Sequence, residues 1–118
     1  MTSVLNVDTI AAKDGTSPVA LTKQHAAKSW VNLNGTGTIA TRDSFNVASL
    51  TDNGTGSYNA NFTNSMNDSN YAPVISGGNY HNAANTSSTS SYPLVHFGSS
   101  HTAADASISI GSVFGDLA

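Results

Sequence analysis

The sequence contains no cysteine, no glutamate and only four lysine and arginine residues among its 118. Without cysteine, the chain has neither a disulfide nor a thiolate zinc site. Four basic side chains and a formal net charge of -3 cannot form the positive surface that nucleic-acid phosphates require, so no nucleic-acid partner is expected. No run approaches the roughly 18 apolar residues of a membrane-spanning helix, so no membrane insertion is expected.

Large apolar residues are also scarce. Leu, Ile, Val and Phe together number 23, just under the roughly 20% below which disorder becomes common. Low net charge and nine aromatic residues spread along the chain argue against disorder. A domain of this size buries only about two-thirds of the surface that its unfolded chain exposes. With so few large apolar residues to bury, a monomer is expected to have only marginal stability. We therefore predict one compact domain that self-association completes.

Serine, threonine and asparagine supply 44 residues, and short apolar-polar segments recur between clusters of Gly, Asn, Ser and Asp. This pattern is typical of an antiparallel sandwich or barrel. Of the two, we expect an antiparallel β-sandwich with a jelly-roll-like arrangement of strands. Good helix formers are rare, so the fold class is all-β. The predicted strands are 29–34, 36–41, 46–51, 57–63, 71–76, 92–98 and 106–114.

The clearest predicted unit is a hairpin. The segment 46–51 is followed by Asp52, Asn53, Gly54, Thr55 and Gly56, and then by 57–63. The Asn-Gly pair supplies the positive-φ positions of a tight turn, and Gly56 adds another permissive point. In the second strand, alternation places Tyr58, Ala60 and Phe62 on one face and polar residues on the other.

The sequence offers no catalytic constellation and no cofactor motif. Its seven acidic residues are all Asp, dispersed and mostly beside turn residues, which does not favour paired-carboxylate chemistry. The four histidines are His25, His81, His96 and His101, and no two have a spacing that places them on one face of a strand or helical turn. No metal site is predicted, although one histidine per chain, His25 or His96, could meet its copies on a trimer axis.

The longest loop, 77–91, has no hydrophobic period. Within it Asn79, Tyr80, His81 and Asn82 concentrate uncharged hydrogen-bonding groups and an aromatic ring, which suit neutral hydroxylated ligands such as sugars. These four are the candidate receptor-binding residues. The alternative is that this segment is a solvated loop.

Residues 1–28 differ from the remainder, which forms the predicted β-sandwich domain 29–118. The first residues include a short strand-like apolar stretch with Val4, Leu5, Val7 and Ile10, followed by a turn-rich connector. We predict that this segment attaches the domain to other proteins or contacts neighbouring copies in a trimer.

Three blocks in the middle of the chain carry a family resemblance. The first has Ala27, Lys28, Trp30, Val31, Asn32 and Asn34–Gly37; the second has Asp43, Ser44, Asn46, Val47 and Ser49; the third has Asp52–Gly56, Tyr58, Asn61 and Phe62. Together they resemble a module of virion proteins of tailed bacteriophages, especially marine and cyanobacterial ones, described as tail-fibre or virion structural proteins. The opening residues 4–15 are similar to the N-terminal segment of such proteins.

The resemblance implies a β-rich homotrimeric knob at the end of a fibre, or a small fibre on a tail or capsid, located in the virion. It implies no enzyme, cofactor or catalytic residue. From Gly77 onward the sequence matches no part of the family pattern, and this is where receptor-binding variation is expected. The chain also has no coiled-coil, collagen-like or β-helical shaft.

We therefore expect a non-catalytic phage fibre or knob protein that recognises a host-surface glycan and contacts other virion proteins through its N-terminal segment. Two alternatives stay open: a capsid or tail decoration protein without receptor binding, and a free carbohydrate-binding module.

Overall fold

A computed structural model describes residues 3–4, 6, 9–15, 26–78, 81–83 and 87–118. These residues contain no helix and eight strands: β1 Ser29–Asn34, β2 Ala40–Phe45, β3 Val47–Asp52, β4 Ser57–Phe62, β5 Ala72–Gly77, β6 His81–Ala83, β7 Ser91–Phe97 and β8 Ser109–Phe114. The predicted all-β class is confirmed, and β1 has the predicted bounds. Strand β2 begins four residues later than predicted.

The strands form two antiparallel sheets of four. Sheet I has the order β2-β1-β8-β5 and sheet II the order β3-β4-β7-β6. The first and last strands are therefore neighbours, and the chain passes between the sheets after β2, β4, β5 and β7. This architecture is consistent with the predicted sandwich.

The passage from β2 to β3 takes a single residue, Asn46. It lies in the left-handed region, at φ 55°, which asparagine tolerates better than most residues. Its side-chain amide donates to the carbonyls of Lys28 (3.0 Å) and Asn64 (3.1 Å), and its amide oxygen accepts from the N–H of Asn64 (2.7 Å). Asn46 thus joins both sheets at the point where the chain changes direction.

The hairpin between β3 and β4 is confirmed, with a difference in its turn. Positive φ occurs at Gly54 (114°) and Gly56 (67°), whereas Asn53 is not among the residues with positive φ. The carboxylate of Asp52 accepts from the N–H of Gly54 at 2.9 Å. A Cβ on Gly56 would lie 2.6 Å from the carbonyl oxygen of His96, so glycine is required there by both conformation and space.

The core lies between the sheets and follows the alternation of the strands. From sheet I it contains Val31, Leu33 and Val113; from sheet II it contains Tyr58, Ala60, Phe62, Tyr92 and Leu94. Met66 and Tyr71, from the connection between β4 and β5, complete it. The rings of Phe62 and Tyr92 lie 5.4 Å apart and those of Phe62 and Tyr71 5.7 Å, distances at which aromatic pairs stabilise a core.

The two sheets contribute unequally to this interior. Sheet II supplies the large aromatic rings, and β8 of sheet I supplies small residues opposite them. A Cβ on Gly111 would lie 2.6 Å from Cε2 of Tyr92 and 3.1 Å from a methyl of Leu94. Because close packing leaves no space to spare, this complementarity decides which side of β8 faces the core.

Candidate functional site

The predicted receptor-binding residues are only partly within the described structure. Asn79 and Tyr80 lie outside the described residues. His81 and Asn82 lie in β6, so the segment predicted as an uninterrupted loop from 77 to 91 contains a short strand. His81 is paired with Phe97 and Asn82 with His96 of β7. The loop prediction fails here because backbone pairing with β7 gives order to residues that have no apolar period of their own.

On the adjacent strands β3 and β4, the outer side of sheet II carries a row of uncharged polar residues: Ser49, Thr51, Asn59 and Asn61, which we call the polar face. Strand β7 separates this row from β6. Their positions alternate with the buried Tyr58, Ala60 and Phe62 of β4 and with Leu50 of β3. Register pairs Ser49 with Asn61 and Thr51 with Asn59, so amides and hydroxyls face one another across the two strands.

Hydrogen bonds within the polar face fix the direction of its side chains. The amide of Asn61 donates to the hydroxyls of Ser49 and Thr51, both at 3.0 Å. The amide of Asn53 donates to the amide oxygen of Asn59 at 3.1 Å. Each hydroxyl that accepts from Asn61 keeps its own proton for a further acceptor. The polar face therefore presents ordered donors and acceptors without charge, the groups that match a neutral hydroxylated ligand.

The carboxylate of Asp105 has two described hydrogen-bond donors, and its role is structural. It accepts from the N–H of Gly56 (2.7 Å) and lies 2.8 Å from the hydroxyl of Tyr58, which is also 2.9 Å from the carbonyl oxygen of Gly35. The bonds from Gly56 and Tyr58 hold the pKa of Asp105 below its usual value. Burial, and then the bond to Asp105, raises the pKa of Tyr58 to about 12. This cluster attaches the β3–β4 turn to the segment that leads into β8.

His96 occupies the interior and not the surface. Its side chain is fully buried in β7, and its Nε2 lies 2.6 Å from the hydroxyl of Ser109 in the opposite sheet. Burial lowers its pKa, so the neutral imidazole is favoured. The suggestion that His96 meets its copies on a trimer axis is therefore wrong, because the ring is enclosed between the two sheets of one chain. His25, the other histidine suggested for that axis, lies outside the described residues.

In the part of the chain that the structure describes, no group of three His, Cys, Asp or Glu side chains is arranged to hold a metal ion. No helix among those residues has the length and apolar character needed to cross a membrane.

The sequence indicated strands that are apolar on both sides, but it did not identify the outer side of sheet I as one continuous apolar surface. Phe45, Val74, Ile110 and Phe114, in β2, β5 and β8, are among the most exposed large hydrophobic residues of the described chain. With the half-buried Trp30 of β1 they form what we call the apolar face. The alternation of Ser109, Gly111 and Val113 with Ile110 and Phe114 was visible in the sequence, but it did not show which set faces outward.

The predicted attachment segment is partly described. Val4 is 79% exposed and Ile10 is 66% exposed, so these two apolar side chains are largely uncovered in the single chain. Leu5 and Val7 lie outside the described residues.

Comparison with protein-family models, with curated proteins and with solved structures finds no match for this chain. Its function is therefore inferred from its surfaces and from the motif resemblance described above.

Proposed function

We propose that this chain is a non-catalytic structural protein of a tailed-phage virion, a homotrimeric fibre or knob module that recognises a neutral glycan on the host surface. The observation that carries the recognition part is the polar face, with its uncharged amides and hydroxyls held in place by the bonds from Asn61. The three sequence blocks support the virion assignment, and the lean apolar content supports self-association.

The strand connections support the knob part of the proposal. In a jelly roll the first and last strands are adjacent, and successive strands pass from one sheet to the other. Here β1 lies beside β8, β4 beside β7, and the chain changes sheet four times. Strands β2 and β3 extend the two sheets at one edge, joined through Asn46.

The roles of the motif residues agree with a shared fold and leave recognition to other residues. Asn46 links the sheets, Asp52 caps the turn at Gly54, and Tyr58 bonds to Asp105. These contacts lie within one chain, so they explain why such residues recur in a module without assigning them a ligand. The glycan would bind on the polar face, with the edge strand β6 as a second contact on the far side of β7. Strand β6 lies in the part of the sequence, from Gly77 onward, that departs from the family pattern.

The experiment is binding of the labelled protein to cells of the phage's host and to an array of neutral oligosaccharides. We expect the paired variant Asn59→Ala with Asn61→Ala to bind at least about tenfold more weakly, because it removes amide donors and acceptors. A variant with residues 79–82 replaced by glycine and serine tests the edge at β6. The control is Asn70→Ala, which removes an exposed amide from the connection between β4 and β5.

The outcomes separate the proposal from its alternatives. Phage adsorption that is unaltered by both sets of changes would favour a decoration protein without receptor binding. Oligosaccharide binding by a protein that is absent from purified particles would favour a free carbohydrate-binding module. In a particle map, copies in multiples of three at the tail support the fibre assignment, whereas hundreds of copies over the shell support decoration.

A further inference from the structure

The apolar face of sheet I is continuous across all four of its strands. Register places Phe45 of β2 opposite Trp30 of β1, Trp30 opposite Ser112 of β8, and Ser112 opposite Val74 of β5. Residues paired in this way lie on the same side of a sheet, so these four form one row across it. Ile110 and Phe114 lie two residues on either side of Ser112 and therefore flank the row on the same side.

These side chains remain substantially uncovered in the single chain. Exposed fractions are 54% for Phe45, 57% for Val74, 40% for Ile110 and 38% for Phe114. Ile108, directly before β8, is 48% exposed. By contrast, Val31, Leu33 and Val113 on the other side of the same sheet are fully buried. The side chains of sheet I are thus apolar on both sides, but only one side is covered.

Charge is sparse on this face. Among its described positions that are paired in the register, one is charged, Asp43 in the edge strand β2. The exposed Arg42 lies at the bulge of the same strand and donates to the carbonyl of Leu33. The other paired positions are apolar or uncharged: Trp30, Asn32, Asn34, Ala40, Phe45, Ala72, Val74, Ser76, Ile110, Ser112 and Phe114. The centres of protein interfaces are similarly depleted of charge and enriched in aromatic residues.

The size of the face fits a subunit interface. The exposed parts of its large side chains amount to roughly 400 Å² of apolar surface. A standard interface buries about 800 Å² on each partner, of which about 60% is apolar. The apolar face therefore supplies most of the apolar area that one side of a stable interface needs, before its polar rim is counted.

We propose that the outer side of sheet I is the surface through which copies of this chain associate, with Phe45, Trp30, Ser112 and Val74 at the centre of the contact. The occupant is a second copy because an apolar face with little charge is best matched by another of the same kind, and every copy carries one. Three copies that direct sheet I toward a common axis bury all three faces together and leave each polar face outward. The inference rests on the self-association in the proposed function and is independent of the glycan.

The first experiment compares Val74→Lys with Thr51→Lys in the full chain. Both residues are exposed in strands, but Thr51 lies on the polar face of sheet II. Light scattering and native mass spectrometry should give three times the chain mass of 12.1 kDa for the wild type and for Thr51→Lys. Val74→Lys should weaken association by about thirtyfold or more, because it places a charge at the centre of a buried contact.

A second measurement does not depend on disrupting the assembly. Because the natural chain has no cysteine, Ser112→Cys introduces a single thiol at the centre of the apolar face. A short bismaleimide should link Ser112→Cys chains to one another at micromolar concentration. Ser49→Cys, with its thiol on the polar face, is the matched control and should stay largely unlinked.

The results distinguish this inference from the wider proposal. A trimer that persists in Val74→Lys, with cross-linking no greater in Ser112→Cys than in Ser49→Cys, overturns the assigned face while self-association stands. A wild-type monomer at about 100 μM overturns both the face and the trimer, and leaves glycan recognition to be judged on the polar-face variants. If the wild type is a monomer, and if Val74→Lys and the double variant Val4→Lys with Ile10→Lys lose thermal stability equally, the face is covered by the chain's own N-terminal segment. That result also overturns the inference.

Discussion

At the scale of single residues, Asp105 and Asn46 each join parts of the chain that are distant in sequence. Asp105 bonds to Gly56 and Tyr58, and Asn46 bonds to Lys28 and Asn64. Both are short polar side chains of the kind that turns favour, and the composition of the sequence is rich in them. At Asp105 and Asn46, such side chains form hydrogen bonds with backbone groups at the points where the sheets are connected. This accounts for part of the abundance of short polar residues.

Replacing Asp105 tests this structural role. We expect Asp105→Ala to lower the free energy of unfolding by about 1–2 kcal/mol, because the N–H of the buried Gly56 loses its acceptor. Asp105→Asn keeps an oxygen at the same place and should cost clearly less. Urea denaturation measures both, with Asp116→Ala as a control at an exposed carboxylate. Equal losses for Asp105→Ala and Asp116→Ala would contradict the role.

His96 predicts a dependence of stability on pH. Its pKa is lowered in the folded chain by burial, so the unfolded chain binds the proton more readily. Stability is therefore complete above pH 6.5, the ordinary value, and decreases as the pH falls from there toward the folded pKa. The slope in this window is at most about 1.4 kcal/mol per pH unit for one proton.

Denaturation at pH values from 7.5 down to about 5 measures this slope. His96→Gln should lose most of it, whereas His101→Asn, at an exposed position with φ 59°, should keep it. Asparagine is chosen there because it tolerates the left-handed conformation. A wild-type stability that does not change across this range would contradict the buried neutral state of His96.

At the scale of elements, the side chains of sheet II decide which side of a strand in sheet I faces the core. Strand β8 presents Ser109, Gly111 and Val113 inward, because Tyr92 and Leu94 of sheet II occupy the space above them. Its larger residues, Ile110 and Phe114, are consequently on the outside. The apolar face follows from the packing of the interior rather than from hydrophobicity alone.

Gly111 gives a direct test of this packing. We expect Gly111→Ala to destabilise the fold by about 1–3 kcal/mol, because its Cβ would overlap the ring of Tyr92 inside a closed core. The control is Gly78→Ala: Gly78 follows β5, and an added Cβ there meets no atom within 4 Å. Thermal melting of the two variants at equal concentration compares them. A Gly111→Ala variant as stable as Gly78→Ala would show that the two sheets are not closely packed at this point.

At the scale of the whole molecule, the two outer sides of the sandwich differ in chemistry. One is apolar with little charge, and the other carries a row of amides and hydroxyls on β3 and β4. If copies associate through the first, the second is left for solvent or ligand. This division gives a physical basis for an assembly that holds its own subunits on one side and a neutral glycan on the other.

Self-association predicts that thermal stability depends on protein concentration. A contact made only by folded chains stabilises them by mass action, so the melting temperature of the wild type should rise by roughly 5–10 °C between about 1 and 100 μM. Val74→Lys should show little dependence over the same range. Differential scanning fluorimetry of both proteins makes the comparison, and a wild-type melting temperature independent of concentration would contradict assembly through any surface.

The sequence by itself determined the class of fold, the hairpin and the inward side of the strands whose two sides differ sharply. In β4, Tyr58, Ala60 and Phe62 alternate with polar residues, so local periodicity was sufficient. The tertiary structure alone decided three further features. Strand β6 forms in a segment without a hydrophobic period, His96 is buried between the two sheets, and β8 directs its small residues inward. These depend on which large side chain arrives from the opposite sheet, and no local pattern contains that information.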